Sequence, residues 1–258
     1  MTANYAYMLW MQFRAELVKF WRVPANAFFS LALPLIIFVF FGLRDPTSPY
    51  APGATVSTGA YVMASMAAYT VGNVMVFSFG IGVAVERGQK QDVLLRASPL
   101  PPAIYLLAKV MNALVFSLFA MVVLFVFAHF AASVNLEAAA WISLAARLLL
   151  GSLAFIMLGF FLGYLAGPNS APAVVNLIYL PVAFGSGIFI PTQFLPDFIR
   201  GLSPYLPLSP FAQLGWSVLG IKTDQSVARN FALLGAYAIV FFALAVWAYR
   251  RDTSLKFT

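Results

Sequence analysis

Residues 86–102, ERGQKQDVLLRASPLPP, hold the densest group of reactive side chains in the protein. Glu86, Arg87, Lys90, Asp92 and Arg96 fall within eleven residues of a chain that is only 9% charged. Carboxylates and cations at that spacing can form ion pairs or dock on a complementary surface. Without a cysteine or histidine beside them they make a poor catalytic centre. Val93, Leu94 and Leu95 lie between the charges as an apolar anchor, and Pro99, Pro101 and Pro102 follow. Such prolines end a helix and stiffen the chain after it. The pattern predicts a docking helix closed by an elbow, since a plain basic loop needs neither acidic partners nor a proline triplet.

Other chemistries fail on residue type. The chain has no cysteine and one histidine, His129, so thiolate catalysis, disulfides and His-cluster metal sites are excluded. His129, near the end of an apolar run, reads as an interfacial residue. No catalytic residue, metal site or cofactor is expected in this chain. A phosphate loop requires G-x-x-x-x-G-K-[ST]; the nearest stretch, GWSVLGIKT at 215–223, has Ile221 inserted before Lys222. The eight acidic residues are Glu16, Asp45, Glu86, Asp92, Glu137, Asp197, Asp224 and Asp252. All are expected in flanks or loops, whereas ion-driven carriers keep ionisable groups at mid-membrane. If the protein transports, its energy is expected from outside the chain. A self-contained carrier or channel, and a non-transporting membrane scaffold, are the alternatives. Nucleic acid is not an expected partner, because the aromatics lie in apolar runs and not among clustered basic residues.

The elements that position these residues follow from composition. The 258-residue chain is 62% hydrophobic, with a mean hydropathy of +0.90, against roughly 45–50% apolar for soluble domains. This predicts an all-α polytopic membrane protein, a single domain over 1–258 with the lipid bilayer as its solvent. Six transmembrane helices are expected, near 25–43, 59–85, 106–130, 145–166, 172–191 and 230–249, each close to the ~20 residues that cross a bilayer. The first reads as a retained anchor, since no small-residue cleavage site follows it. With the N-terminus inside, ten Lys and Arg fall on inner segments and five, including Arg147, on outer ones. The basic excess predicts both termini in the cytoplasm, and places residues 86–98 there too.

Before the first span, residues 8–23 alternate Leu9, Phe13, Leu17 and Phe20 with Arg14, Glu16, Lys19 and Arg22, the pattern of an amphipathic interfacial helix. Between spans five and six, residues 191–216 carry Pro191, Pro196, Pro204, Pro207 and Pro210 among apolar side chains such as Phe194 and Leu195. Proline excludes one continuous helix and the apolar content excludes a solvated loop, so short outer re-entrant helices are expected. Gly159 and Gly163 form a G-x-x-x-G that lets helices approach closely.

Three of these stretches resemble the ABC-2-type transporter permeases, the membrane subunits of ABC exporters. They are ERGQKQDVLLRASPLPPAIYLLAKV, NLIYLPVAFGSGIFIPTQFLPDFIRGLSPYLPLSPF and the amphipathic N-terminal helix. The resemblance runs in order through nearly the whole chain. It implies a homodimer or heterodimer with a second permease chain, and ABC ATP-binding subunits that carry ATP and Mg²⁺. It implies that residues 86–98, through Glu86, Arg87, Lys90, Asp92, Leu94, Leu95 and Arg96, form the ATPase-coupling helix. Arg14, Glu16, Lys19 and Arg22 would make a second ATPase contact, and the 191–216 prolines with Phe194 and Leu195 an outer gate. Cargoes of the family are drugs, lipids, lipid-linked glycans or polysaccharides, exported across the cell (inner) membrane.

Overall fold

The computed structural model describes residues 4–22, 24–91, 100–223 and 225–255. Its helices are α1 Tyr5–Arg22, α2 Pro24–Ile37, α3 Thr58–Gly88, α4 Pro102–Ala132, α5 Ala138–Gly151, α6 Leu153–Leu165, α7 Ala171–Gly185, α8 Asp197–Leu202, α9 Leu208–Trp216 and α10 Val227–Leu255. A π-helical turn, Phe38–Gly42, prolongs α2. Among the described residues the only extended pairing is one bridge, Pro49 to Ser57. Ser57 of that bridge also caps α3, its Oγ accepting from Ala60 N–H at 3.3 Å. Pro102 opens α4 at a position where its missing N–H costs nothing.

Among the described residues, four helical stretches are long and apolar enough to cross a membrane: α3, α4, the α5–α6 stretch Ala138–Leu165, and Val227–Arg251 of α10. Two shorter apolar helices, Leu31–Gly42 and α7, stand where the first and fifth spans were expected. The 15 residues of α7 reach about 22 Å, less than a hydrocarbon core of about 30 Å. Beyond its C-cap Ser186 the chain leaves helical geometry at Gly187, φ +81°, yet Ile188 and Phe189 stay buried.

Helix α3 is the axis of the bundle. Every residue from Gly59 to Val76 is buried, including Ser65, Thr70 and Asn73. Between helices in lipid, apolar burial gives little drive, so small side chains and hydrogen bonds do the packing. Gly159 and Gly163 of α6 lie against α3: a Cβ at Gly163 would stand 2.9 Å from the carbonyl oxygens of Phe79 and Gly80. Tyr179 of α7 donates its OH to Tyr69 O at 3.0 Å. Large apolar side chains such as Phe130, Ile142, Leu150, Leu177 and Ile239 point outward, as a lipid-facing surface requires.

Two expectations need correction. The fourth helical stretch begins at Ala138, not near 145, because the alanines and Trp141 ahead of Arg147 continue the helix. Arg147, assigned to an outer segment by the charge count, therefore lies nine residues inside a membrane-length helix and donates to Ser217 Oγ at 2.8 Å. Nor does a separate helix begin at Glu86, and residues 92–98 lie outside the described residues. Residues 86–88 are the last turn of α3, which ends where Lys90 takes the left-handed φ of +56°, a common helix stop.

The proline-rich segment breaks into short pieces. Pro191, Pro196 and Pro207 each precede one of them, the turn Thr192–Phe194, α8 and α9, while Pro204 lies in the turn Ser203–Tyr205. All nine residues of α9, Pro210 included, are buried. Gly215 nears Leu144 and Ala64, and Phe211 packs beside Gly151. Phe194 and Phe198, in contrast, are exposed.

Candidate functional site

Helix α3 carries no charge from Thr58 until Glu86 and Arg87 in its last turns. These adjacent residues diverge. Glu86 turns between α1 and α4 and is only 6% exposed. Its Oε1 accepts from Lys19 Nζ at 2.9 Å, and its Oε2 accepts from Lys109 Nζ and from Tyr105 OH. Tyr105 and Lys109 are four apart in α4, hence on one face, and the Lys109 ammonium stands 5.2 Å from the Tyr105 ring centre. A buried carboxylate is costly unless paired and hydrogen-bonded, and here three donors from two helices satisfy it. Burial alone would lower the Lys19 pKa; the hydrogen bond and charge of Glu86, with the charge of Glu16, hold it above its ordinary value.

Arg87 turns the other way. Its Nη1 donates to Gly163 O at 2.6 Å, a carbonyl in the last turn of α6. Its guanidinium sits 5.3 Å from the Tyr164 ring centre, and Tyr164 meets Tyr249 of α10 edge-on at 5.3 Å. Two consecutive residues thus connect α3 to α1, α4 and α6, and through Tyr164 to α10, at one end of the bundle. Lys90 is exposed just past α3. Asp92, Leu94, Leu95 and Arg96 lie outside the described residues.

Within α1, Phe13 is buried and Leu9 and Leu17 are half-buried, so the apolar stripe faces the protein, mainly α4. Arg14 is exposed, and Glu16 accepts from Gln12 Nε2 at 3.4 Å. Arg22 is the last residue of the helix. A second apolar set, Tyr7, Trp10, Met11 and Val18, is exposed.

A cavity of about 540 Å³ rises from the charged junction along α3, from Glu86 to Tyr69, with Asn112 of α4 and Asn176 of α7 in its walls. At the opposite end of the bundle, aromatic rings close the structure. Tyr50, Tyr61 and Trp216 stack at 4.6 and 5.3 Å between centres, Trp216 Nε1 donates to Ser65 Oγ at 2.9 Å, and Tyr61 OH donates to Gly187 O at 3.3 Å.

Sequence reasoning singled out Glu86 and Arg87 but gave both an outward-facing role, and it missed Tyr105 and Lys109 as their company. The signal was present: a single carboxylate at the end of a long uncharged run, with a Tyr–Lys pair one helical turn apart opening the next. Reading it required knowing that α3 and α4 pair as a hairpin.

The family model described as ABC-2 type transporter matches residues 7–218, from α1 through α9. A protein of Bacillus subtilis (strain 168) named "Putative transport permease YvfS" is 26% identical over 237 residues, which is 91% of this chain and 95% of that one.

Proposed function

The chain belongs to the ABC-2 type transporter family and is a transporter permease subunit, and from that premise we propose that it is driven by separate ABC ATP-binding subunits to export a hydrophobic or amphiphilic solute. It works as a dimer with a second permease chain in the cell inner membrane, both termini in the cytoplasm. Six spans form each subunit, α2 with its π turn and α7 with residues 186–190 completing the four long ones. ATP and Mg²⁺ bind the partner, and this chain hydrolyses nothing.

One observation carries the reading. Glu86 is bonded to both α1 and α4 a few residues before the exposed Lys90. A push received on residues 89–98 by a cytoplasmic motor therefore reaches three helices through one carboxylate. In this reading Lys90, Asp92, Leu94, Leu95 and Arg96 make the contact, Glu86 and Arg87 transmit it from inside, and Arg14 and its neighbours on α1 supply a second contact. At the far end, α9 and the stacked rings close the outer exit, with Pro191, Phe194, Leu195, Pro196 and Pro204 around it.

The test is capture of an ABC ATP-binding subunit co-expressed with the chain. The wild type is expected to copurify with it and to support ATP-dependent transport in proteoliposomes. The K90E/R96E variant is expected to insert and fold normally yet capture at least tenfold less. Undiminished capture by that variant, or ATPase activity in the purified chain alone, overturns the assignment.

A further inference from the structure

The cavity above the charged junction has the shape and chemistry of a binding slot within one subunit. Along α3 it extends 17 residues, Glu86 to Tyr69, or about 26 Å at 1.5 Å per residue. Its volume of about 540 Å³ falls within the range of small-molecule sites, about 300–1,000 Å³. At about 30 Å³ per water-sized group, it accommodates roughly 18 non-hydrogen atoms, a single-chain amphiphile and not a two-chain lipid. Ser78 is exposed half-way up, so the slot opens sideways there, where lipid would lie.

Its lining is graded. The floor holds Glu16, Lys19, Glu86 and Lys109, two carboxylates and two ammoniums, whose charges cancel. The waist is apolar, formed by Phe77, Ile81 and Phe116. Three amides, Asn73, Asn112 and Asn176, add uncharged polar groups to the walls. Asn73 spends an N–H on Tyr69 OH at 3.4 Å and Asn176 one on Pro172 O at 2.9 Å, while the buried Asn112 Oδ1 has no partner among the described residues. A neutral floor gives no preference for an anion or a cation, and amides in the walls suit a polar, uncharged head.

We infer that this slot binds a single-chain amphiphile whose head is polar but electrically neutral, head at the Lys19–Glu86–Lys109 floor and chain along α3. Naming that occupant as cargo rests on the permease reading; the binding itself does not.

Three photoactivatable probes with the same six-carbon chain, short enough that even the glucoside stays at about 18 non-hydrogen atoms, test it: an alkyl glucoside, an alkyl phosphate and an alkyl trimethylammonium. Purified chain in lipid nanodiscs is labelled, and modified peptides are mapped. The glucoside is expected to label the peptide spanning 69–86 at least tenfold more than either charged probe. G82F, which fills the slot just above its floor, where only the end of Lys109 nears an added Cβ, is expected to remove that labelling. L177F, on an exposed surface, is expected to retain it. Should G82F fail to fold, S78W blocks the side opening and serves instead. Equal labelling by all three probes, or full labelling of the folded blocked variant, overturns the slot. If labelling fails while the ATP-binding subunit is still captured, the slot falls and the permease reading stands. If labelling succeeds without capture, the slot stands and the coupling to an ATP-binding subunit falls.

Discussion

Substituting Glu86 by Gln removes one charge and almost no volume from the junction, so its effect separates electrostatics from packing. The side chains of Glu86 and Lys109 are each 8% exposed, whereas that of Lys19 is 55% exposed. Breaking a buried pair by removing one partner costs about 3–5 kcal/mol, because the other charge stays buried. An exposed pair contributes about 0–1 kcal/mol. Glutamine keeps an oxygen for Tyr105, a bond worth about 1 kcal/mol. E86Q is therefore expected to destabilise the chain by about 3 kcal/mol and K109M by a similar amount, but K19M by less than about 1 kcal/mol. The double variant E86Q/K109M leaves no orphaned charge between α3 and α4, and is expected to recover about 2 kcal/mol relative to the sum of the single variants. Reversible unfolding by SDS in mixed micelles, followed by far-UV circular dichroism, reads all four. The reasoning fails if K19M costs as much as K109M, or if the two buried substitutions simply add.

Three further outcomes are expected. G163V drives a side chain into the α3 carbonyls and is predicted to destabilise by about 1–3 kcal/mol, seen as a lower melting midpoint, while a valine at Gly235, where no atom stands within 4 Å of an added Cβ, leaves it within experimental error. W216F keeps the stack on Tyr61 but loses the hydrogen bond to Ser65; a loss of about 1 kcal/mol is expected, and no loss refutes that bond. Because the Lys19 pKa is raised in the folded protein, its contribution is complete below its ordinary value of about 10.5 and fades as pH climbs through the higher folded value. The melting difference between wild type and K19M is accordingly expected to be flat from about pH 7 to 10 and to shrink above about pH 11; a difference that vanishes by pH 9 contradicts it.

How far the sequence reached depends on the range of the interaction involved. Long apolar runs are local, and α3, α4 and α10 lie within a few residues of expectation. The amphipathic stripe of α1 was also legible, but not its target, since lipid and a neighbouring helix select the same pattern. The direction of Glu86 was not legible: its partners lie 67 residues before it and 19 and 23 after it. The start of the fourth helical stretch was placed late because alanines ahead of Arg147 add little hydropathy, and one serine from a distant turn is enough to hold Arg147. The prolines of 191–216 gave the breaks but not the destination, and complete burial of α9 follows from the small residues Gly151 and Gly215, which only tertiary contact reveals.

The hydrogen bond from Arg147 to Ser217 has a consequence for the order in which the chain is made. Arg147 leaves the ribosome 70 residues before its partner, after α3 and α4 but ahead of α7 and α9. Until α9 and the turn after it arrive, the side chain that receives that guanidinium does not exist, so the newly made α5–α6 stretch should sit shallow, arginine held toward the headgroups. Release into its final depth then waits for the proline-broken segment. Chains truncated at residue 205 would show it as a modifiable cysteine placed at Ala146, accessible in the truncated chain and protected in the full one.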